Sequence, residues 1–504
     1  MGRFCPIGLI SATTVLLFST ARADWRADAG FPQLQAELGA SLPTGVGIPI
    51  MMSEASQGGN HYAQGTTGTV AYAGTGVLAG KTITPYSAAS GTSGHAAAVA
   101  NYFCGTGLSI SPGVTELHAW LAADFANNLY NTNPLPTYAG SVQNHSWVGS
   151  FGSDSTDTTF LRRLDALINR DGVIVSTPMN NGGAMQKLLA NAYHGISTGL
   201  RTGNHPQTHS NLDVTGRMKP DLVVNETLTS FAGPAVASVA TFLLDAIRPG
   251  FPDADDPRVV KSIMLSAASK QNLLGWKRIS SSRPYDEIFG AGELNALNAY
   301  HILAAGRQPS SNSVLRSIQG WDNGTSSTAV PKRYFFTLPA ASWGATVSAT
   351  ITWHRSLSLN YSTSTLANLN LRLANAAEFT VGSTITESNS SVDNVEHLFL
   401  RNLPPGEYVL EVSAGTNDVT YGIAWEVQLG KGPQMTLTRT GTQNVLALSQ
   451  IDPLKTYTIE SSDDLISWQS AATIRTADTT PATIATWQES ITAGAKFYRL
   501  NWAP

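Results

Sequence analysis

The sequence predicts an α/β domain, a three-layer sandwich with a parallel sheet, followed by two all-β domains. Over about the first 300 residues, short apolar runs alternate with amphipathic stretches, as strands and helices do around a parallel sheet. Further along, strands follow one another at short spacing with Gly, Pro and Asn turns, which is typical of an antiparallel β-sandwich. The chain has 504 residues. This length is enough for about three domains.

In the first region, two buried strands and four helices are predicted. The strands are residues 48–52 and 172–175, and the helices are 94–103, 158–168, 234–247 and 257–268. Pro257 suits the first turn of its helix, because that position needs no backbone N–H. The predicted strands of the second region are 333–338, 345–353, 369–373, 397–400, 408–412 and 421–427. A smaller β unit follows, with strands at 456–460 and 496–500.

These patterns divide the chain into four parts. The predicted parts are a signal peptide (1–23), the α/β domain (24–308), a β-sandwich (309–430) and a small β domain (431–504). The signal peptide has an apolar stretch and the cleavage sequence Ala21-Arg22-Ala23, so we expect secretion to an extracellular or periplasmic location. Only Cys104 follows the cleavage point, which excludes an internal disulfide in the mature chain. With so little chain before the first strand, we expect folding without a separate inhibitory prodomain.

Composition excludes several partners. The formal net charge is −4 and 13% of residues are charged, so clustered cations for nucleic acid are not expected. The sequence has 11 Trp, 15 Tyr and 16 Phe, which suits a packed chain rather than a disordered one. After the signal peptide no run of 18 apolar residues occurs, so membrane insertion is not expected.

Four residues in separate segments of the α/β domain make a set suited to acyl transfer. Glu54 ends a predicted strand, and Asn180 follows another. His95 and Ser230 each lie at the start of a predicted helix lined with small residues. A serine hydroxyl becomes a nucleophile when an imidazole accepts its proton and a carboxylate orients that imidazole. An asparagine amide can donate to the oxyanion, a contribution of about 2.7–4 kcal/mol.

The segments around these residues resemble the subtilisin-like serine peptidases, the S8 or subtilase family. The resemblance covers roughly residues 40–305. It is carried by TGVGIPIMM (44–52), VQNHSW (142–147), GRMKPD (216–221), TSFAGP (229–234), VVKSIML (259–265) and FGAGELNA (289–296). The resemblance implies a subtilisin-like fold and a secreted serine endopeptidase acting on proteins or peptides.

Transferred residue by residue, the resemblance makes Ser230 the nucleophile and His95 the general base. It makes Asn180 the oxyanion donor, with Asn181 as the competing candidate. The position of the family's aspartate falls on Glu54, which is one methylene longer. Backbone-shaping glycines of the family are replaced, for example by Met179 and Leu228. A catalytically degenerate relative that acts as a surface binding or adhesion scaffold is therefore the alternative function.

No cofactor is expected to be required. A structural calcium ion fits the resemblance, although no Asp-rich loop stands out. His145, His205 and His209 are not expected to bind zinc, because histidines four apart can hold one metal only on a helix and residues 203–206 are typical of a loop. Cys104 is expected to be a small buried residue. In the second domain, LANLNLRL (366–373), SVDNVEH (391–397) and LPPGEY (403–408) resemble the pre-peptidase C-terminal and P-domain-like β-sandwich modules. Surface glycans or proteins are candidate partners of the β domains, with Trp468 and Trp487 either core residues or a stacking face.

Overall fold

The computed structural model describes residues 24–207, 212–247, 251, 253–273, 275–340, 344–430, 432–449, 451, 455–476, 485–490 and 496–502. The predicted signal peptide and His209 lie outside the described residues. The α-helices are α1 (Trp25–Asp28), α2 (Phe31–Leu38), α3 (Gly94–Phe103), α4 (Ala122–Asn131), α5 (Asp154–Asp171), α6 (Thr229–Ile247), α7 (Pro257–Ala267) and α8 (Ala296–Ala304).

The first sheet has eight strands, and all its neighbouring strands are parallel except β2 and β3. Its order is β2-β3-β4-β1-β5-β6-β7-β8. The strands are β1 (Ile50–Glu54), β2 (Tyr72–Ala73), β3 (Thr82–Pro85), β4 (Glu116–Leu121), β5 (Val142–His145), β6 (Ile174–Pro178), β7 (Ile196–Leu200) and β8 (Leu222–Val224). With its helices, this sheet forms the predicted α/β domain.

The chain continues into antiparallel sheets. Two four-stranded sheets have the orders β10-β17-β14-β15 and β16-β11-β18-β9. Their strands, with a small hairpin of β12 and β13, are β9 (Gln319–Thr325), β10 (Lys332–Leu338), β11 (Ala345–Trp353), β12 (Ser356–Leu357), β13 (Ser364–Thr365), β14 (Leu369–Ala377), β15 (Thr380–Ser388), β16 (Val395–Leu403), β17 (Gly406–Ala414) and β18 (Thr420–Leu429). A shared core that includes Trp353, Leu371 and Trp425 lies between the two sheets.

Two three-stranded sheets follow the sandwich. Their orders are β19-β20-β23 and β22-β21-β24. The strands are β19 (Gln434–Thr440), β20 (Gln443–Ser449), β21 (Thr456–Ser462), β22 (Gln469–Arg475), β23 (Ala485–Ser490) and β24 (Phe497–Trp502). An α/β domain followed by all-β structure is thus the fold class, as predicted. Trp468 and Trp487 are half-buried rather than core residues.

Local sequence explains where the helices begin and end. Ser93 caps α3 and Ser153 caps α5, because each side chain accepts a hydrogen bond from a backbone N–H of the first turn. Gly172 ends α5 in the left-handed conformation that glycine adopts without strain. Helix α5 is longer at both ends than the predicted 158–168. Pro257 begins α7, as predicted.

The predicted helix 234–247 begins too late, although Ser230 was itself expected at a helix start. The helix begins at Thr229, so Pro234 lies inside it. Proline has no N–H to donate to the carbonyl four residues back. That carbonyl belongs to Ser230, and the Ser146 hydroxyl donates to it at 2.9 Å. A tertiary contact therefore satisfies the acceptor that Pro234 leaves free.

Helix α6 is also the only described helix long and apolar enough to cross a membrane, and 83% of its apolar window is buried inside the protein. That burial is what the central core helix of an α/β domain requires. Helix α3 and strands β5, β6 and β7 pack against it. A core helix passes the same test of length and composition as a membrane span.

The β-sandwich packs tightly on α7. Ser348 of β11 donates to the carbonyl of Ser266, and Ser266 donates to the carbonyl of Ala424 in β18. Gly422 permits the close approach, because a Cβ there would lie 2.4 Å from the backbone of Arg258. Arg355 adds buried ion pairs to Asp165 and Asp213.

Candidate active site

Glu54 lies at the carboxyl end of β1, a central strand of the parallel sheet. In sheets of this kind, ligands bind beyond the carboxyl ends of the strands. The Glu54 side chain is 1% exposed, and in the described part of the chain its Oε1 has no hydrogen-bond partner. Its other oxygen, Oε2, lies 2.7 Å from Nδ1 of His95. A buried carboxylate is thus held by one hydrogen bond to an imidazole.

His95 is presented by the first turn of α3. Gln57, in the loop after β1, accepts hydrogen bonds from the His95 backbone N–H and the Ser93 hydroxyl through its Oε1. The loop that follows Glu54 therefore also fixes the helix start that carries His95. The two side chains, 41 positions apart in sequence, are brought together by the β1–α3 arrangement.

The Glu54–His95 pair titrates above the ordinary values of both groups. Burial raises the pKa of Glu54 to about 7, although the hydrogen bond from His95 opposes this. The same hydrogen bond is the main reason why the pKa of His95 is raised. Because the two groups interact directly, their protons belong to the pair. The fully deprotonated pair, an ionised Glu54 beside a neutral His95, forms on the alkaline side.

Ser230 is the second residue of α6 and is half-buried. The first N–H groups of a helix have no partner within the helix, and they favour negative charge. The backbone N–H of Ser230 makes no hydrogen bond to any described residue. Between described residues there is also no hydrogen bond joining Ser230 Oγ to Nε2 of His95. Such contacts are often long in unliganded enzymes and tighten when substrate binds.

Asn181, rather than Asn180, lies against the start of α6. Oδ1 of Asn181 accepts hydrogen bonds from the backbone N–H (2.9 Å) and the hydroxyl (3.1 Å) of Thr229, the residue before Ser230. Nδ2 of Asn180 instead donates to the carbonyl of Ala184 at 2.7 Å. The sequence favoured Asn180 by register, but the loop after β6 turns the next side chain toward the helix. Of the two asparagines, Asn181 is the one that contacts the start of α6.

An aromatic column, formed by the rings of His95, Phe231 and Tyr102, joins α3 to α6. Phe231 is nearly parallel to Tyr102, with 5.2 Å between ring centroids, and its ring lies 6.1 Å from that of His95. The Tyr102 hydroxyl donates to the buried carboxylate of Glu226 at 2.8 Å. Because Phe231 follows Ser230 directly, the column brings the His95 ring to the residue next to Ser230.

Sequence reasoning missed three contributors to this region. These are Ser146, which holds the carbonyl of Ser230, and the pair Phe231 and Tyr102 of the aromatic column. Pro234 was the available signal for Ser146, since a proline inside a helix frees a carbonyl. Only the three-dimensional packing of α3 on α6 shows the column.

The described histidines do not make a metal centre. Nδ1 of His205 accepts from the Leu200 N–H, and Nε2 donates to the Ile288 carbonyl, so both ring nitrogens are occupied. His145 is fully buried, and burial lowers its pKa to about 3. Among the described residues, no group of three or more His, Cys, Asp or Glu side chains could hold a metal ion. Cys104 is buried, as expected, and burial raises its pKa to about 12.

The comparisons with known proteins return proteases at low similarity. Neither a protein-family model nor a curated protein sequence matches the chain. Among solved structures it is similar to the MycP3 protease of the type VII (ESX-3) secretion system, with TM-score 0.35, 14% identity, and 56% of this chain and 88% of that one covered. It is similar to a lanthipeptide protease with TM-score 0.36 and 14% identity, covering 55% of this chain and 94% of that one. It is also similar to a serine protease of Aeromonas sobria with TM-score 0.33 and 12% identity, covering 91% of this chain and 88% of that one.

Likeness at this level defines neither a family nor an activity, because one fold hosts many functions. What the chain itself provides is an α/β domain in which a buried Glu54, at the carboxyl end of a central strand, is hydrogen-bonded to a partly exposed His95. Phe231, in the first turn of core helix α6, brings its ring to 6.1 Å from the His95 ring, and Ser230 precedes it in sequence. This is the arrangement from which a function has to be inferred.

Proposed function

We propose that the protein is a secreted, subtilisin-like serine endopeptidase with a Glu54/His95/Ser230 triad. The observation that carries the proposal is the 2.7 Å hydrogen bond between buried Glu54 and His95, whose ring lies against the residue after Ser230. A carboxylate at Nδ1 leaves Nε2 as the proton acceptor of the ring. The start of α6 supplies both the Ser230 hydroxyl and the Ser230 N–H, which makes no hydrogen bond to any described residue.

In the proposed reaction, Ser230 Oγ attacks the scissile carbonyl carbon while Nε2 of His95 takes the hydroxyl proton. The oxygen of the tetrahedral intermediate accepts hydrogen bonds from the Ser230 N–H and Nδ2 of Asn181. Collapse breaks the C–N bond, and His95 returns the proton to the leaving amine. Water then hydrolyses the acyl-enzyme by the same route in reverse. Glu54 stays ionised and stabilises the imidazolium.

The direct test is incubation of the folded protein with an unstructured protein such as casein, with the new termini identified by mass spectrometry. An endopeptidase produces internal fragments from the earliest times. Removal of residues from the ends alone would contradict the endopeptidase assignment. No cleavage by the folded protein between pH 7 and 9 would contradict the peptidase assignment.

We expect activity to rise with pH through a midpoint above the ordinary histidine value of about 6.5. The reactive form has neutral His95 and ionised Glu54, and both pKa values are raised. Activity is therefore lost as the pH falls and the pair takes up protons. The measurement is kcat/KM against pH with a peptide substrate. A midpoint at or below 6 would contradict the assigned pair.

Replacing Asn180 and Asn181 separately by alanine distinguishes the two candidate oxyanion donors. Asn181→Ala removes an amide beside Ser230 and should lower kcat about 100- to 1000-fold with little change in KM. Asn180→Ala is the matched control and should keep activity within a few-fold. The unfolding temperature of both variants is needed, because Asn181 also caps α6. The reverse pattern would restore Asn180 as the donor.

A second candidate function is a binding scaffold on the same fold. The observation in its favour is that no hydrogen bond joins the described side chains of His95 and Ser230. A folded wild-type protein that neither cleaves casein nor reacts with an organophosphonate would favour this alternative. The β domains would then carry the contacts to a glycan or protein surface.

The location and requirements of the protein are part of the proposal. The apolar N-terminal segment supports export to an extracellular or periplasmic location, where peptides and proteins are the substrates. The assigned residues need no cofactor for acyl transfer, and a calcium ion would have a structural role only. We propose no nucleic-acid partner and no insertion into a membrane.

A further inference from the structure

A cavity of about 870 Å³ lies between the α/β domain and the β-sandwich. Its walls come from α1 and α2, from the segment after α7, from the start of α8, and from strands β11, β16 and β18. Gln271, Asn272 and Lys277 on its lining are exposed, so the cavity reaches the surface. Glu54, His95 and Ser230 are not among the residues that line this cavity. Cavities of this size hold small organic ligands.

Lys270 gives the cavity a buried cation. Its side chain is 4% exposed, and Nζ donates to the carbonyl of Ala268 at 2.9 Å. In the described part of the chain, Nζ of Lys270 makes no other hydrogen bond, and no carboxylate oxygen lies within ion-pairing distance of it. The Nζ atom lies 4.6 Å from the ring centre of Phe399 and 5.2 Å from that of Trp276. An ammonium group has three donors, so two remain for a ligand.

We propose that this cavity binds a small organic anion, a monocarboxylate with an aromatic or apolar body, whose carboxylate pairs with Lys270. A buried charge without a counter-ion is costly, and an anion at this position offsets that cost. The rings of Trp276 and Phe399 provide the apolar contact for the body of the ligand. Arg401, also on the lining, adds a second positive charge.

Binding should depend on pH in a defined direction. Burial lowers the pKa of Lys270 to about 7, so the ammonium is deprotonated as the pH rises above neutrality. Between pH 6 and 8.5 the protonated fraction falls about 30-fold, and the affinity for an anion should fall by the same factor. Of the groups that face Lys270, Arg401 is a cation, and burial lowers the pKa of His397, which keeps it neutral. Burial raises the pKa of Glu426, and Asp28 is the other acid on the lining.

The test is calorimetric titration of the full-length protein with phenylacetate, using phenylacetamide as the neutral ligand of the same shape. At pH 6 phenylacetate should bind at least about 10-fold more tightly than phenylacetamide, a difference of about 1.4 kcal/mol. Its affinity should fall about 30-fold by pH 8.5, whereas that of phenylacetamide should stay constant. Glu426→Gln should keep a fall in phenylacetate affinity with rising pH but move it to lower pH, because the charge of Glu426 raises the pKa of Lys270. Loss of the fall in this variant would make Glu426 its source.

Lys270→Met keeps the size of the side chain and should weaken phenylacetate at least about 10-fold. Lys277→Met is the control, because it removes an exposed lysine from the same lining. The wild-type pH series needs no variant, so it decides the proposal even if Lys270→Met fails to fold. No saturable binding up to about 10 mM, equal affinity for the two ligands, or full binding by folded Lys270→Met would each overturn the proposal.

Discussion

Ser230→Ala is expected to lower kcat/KM for a peptide substrate by about 10⁴-fold or more, because the variant has no hydroxyl to form the acyl-enzyme. The Ser230 carbonyl, held by Ser146, is a backbone group and survives the substitution. The fold should therefore be unchanged. Steady-state kinetics on the purified variant, with circular dichroism as the check on folding, gives the result.

Thr227→Ala is the matched control for this variant. Thr227 is exposed and lies three residues before Ser230, just outside α6. Its loss should leave kcat/KM within about two-fold of wild type, as for an exposed side chain away from the reaction. A Ser230→Ala protein with more than one-tenth of wild-type activity would show that another residue is the nucleophile.

Glu54→Gln is expected to lower kcat by about 10³- to 10⁴-fold with KM nearly unchanged. Glutamine has the same size, so the buried site stays filled. It has no negative charge to stabilise the imidazolium, and its amide favours the wrong tautomer of His95. The pKa of His95 should also fall, since the hydrogen bond to Glu54 is what raises it. The acid limb of the residual activity should then move to lower pH.

Glu293→Gln provides the control for loss of a buried carboxylate. Glu293 is 2% exposed and pairs with Arg201, away from the candidate active site. This variant should lose stability while its kcat stays within a few-fold of wild type. If Glu54→Gln also kept kcat within about ten-fold, Glu54 would not be the third member of the triad.

The main architecture follows from local sequence. Short apolar runs beside turn residues favour buried strands, so two strands of the parallel sheet were predictable. Alternation with Gly, Pro and Asn turns predicted six strands of the sandwich. For the strand 345–353 the boundaries agree with β11. Helix starts depend on caps, and Pro257 marked the beginning of α7. By contrast, Pro234 lies inside α6, because a proline is tolerated where a tertiary donor takes up the carbonyl it leaves free.

The candidate site was predictable as a set of residues but not in its contacts. The order of the motifs along the chain suggested Glu54, His95 and Ser230 as a triad. The distances between their side chains depend on how β1, α3 and α6 pack. Choosing between Asn180 and Asn181 depends on how the loop after β6 turns, and neighbouring asparagines look alike in sequence. The aromatic column and the Lys270 cavity join segments more than 100 residues apart. A local sequence pattern cannot predict contacts between segments so far apart in the chain.

The most direct measurement of the central claim is the site of reaction with a fluorophosphonate. These reagents phosphonylate a serine hydroxyl only when a neighbouring base removes its proton. Intact mass followed by peptide mapping should show a single adduct, on Ser230, formed more slowly as the pH falls below the titration of the Glu54–His95 pair. A folded protein that takes up no adduct, or that carries it on another residue, would contradict the proposed triad.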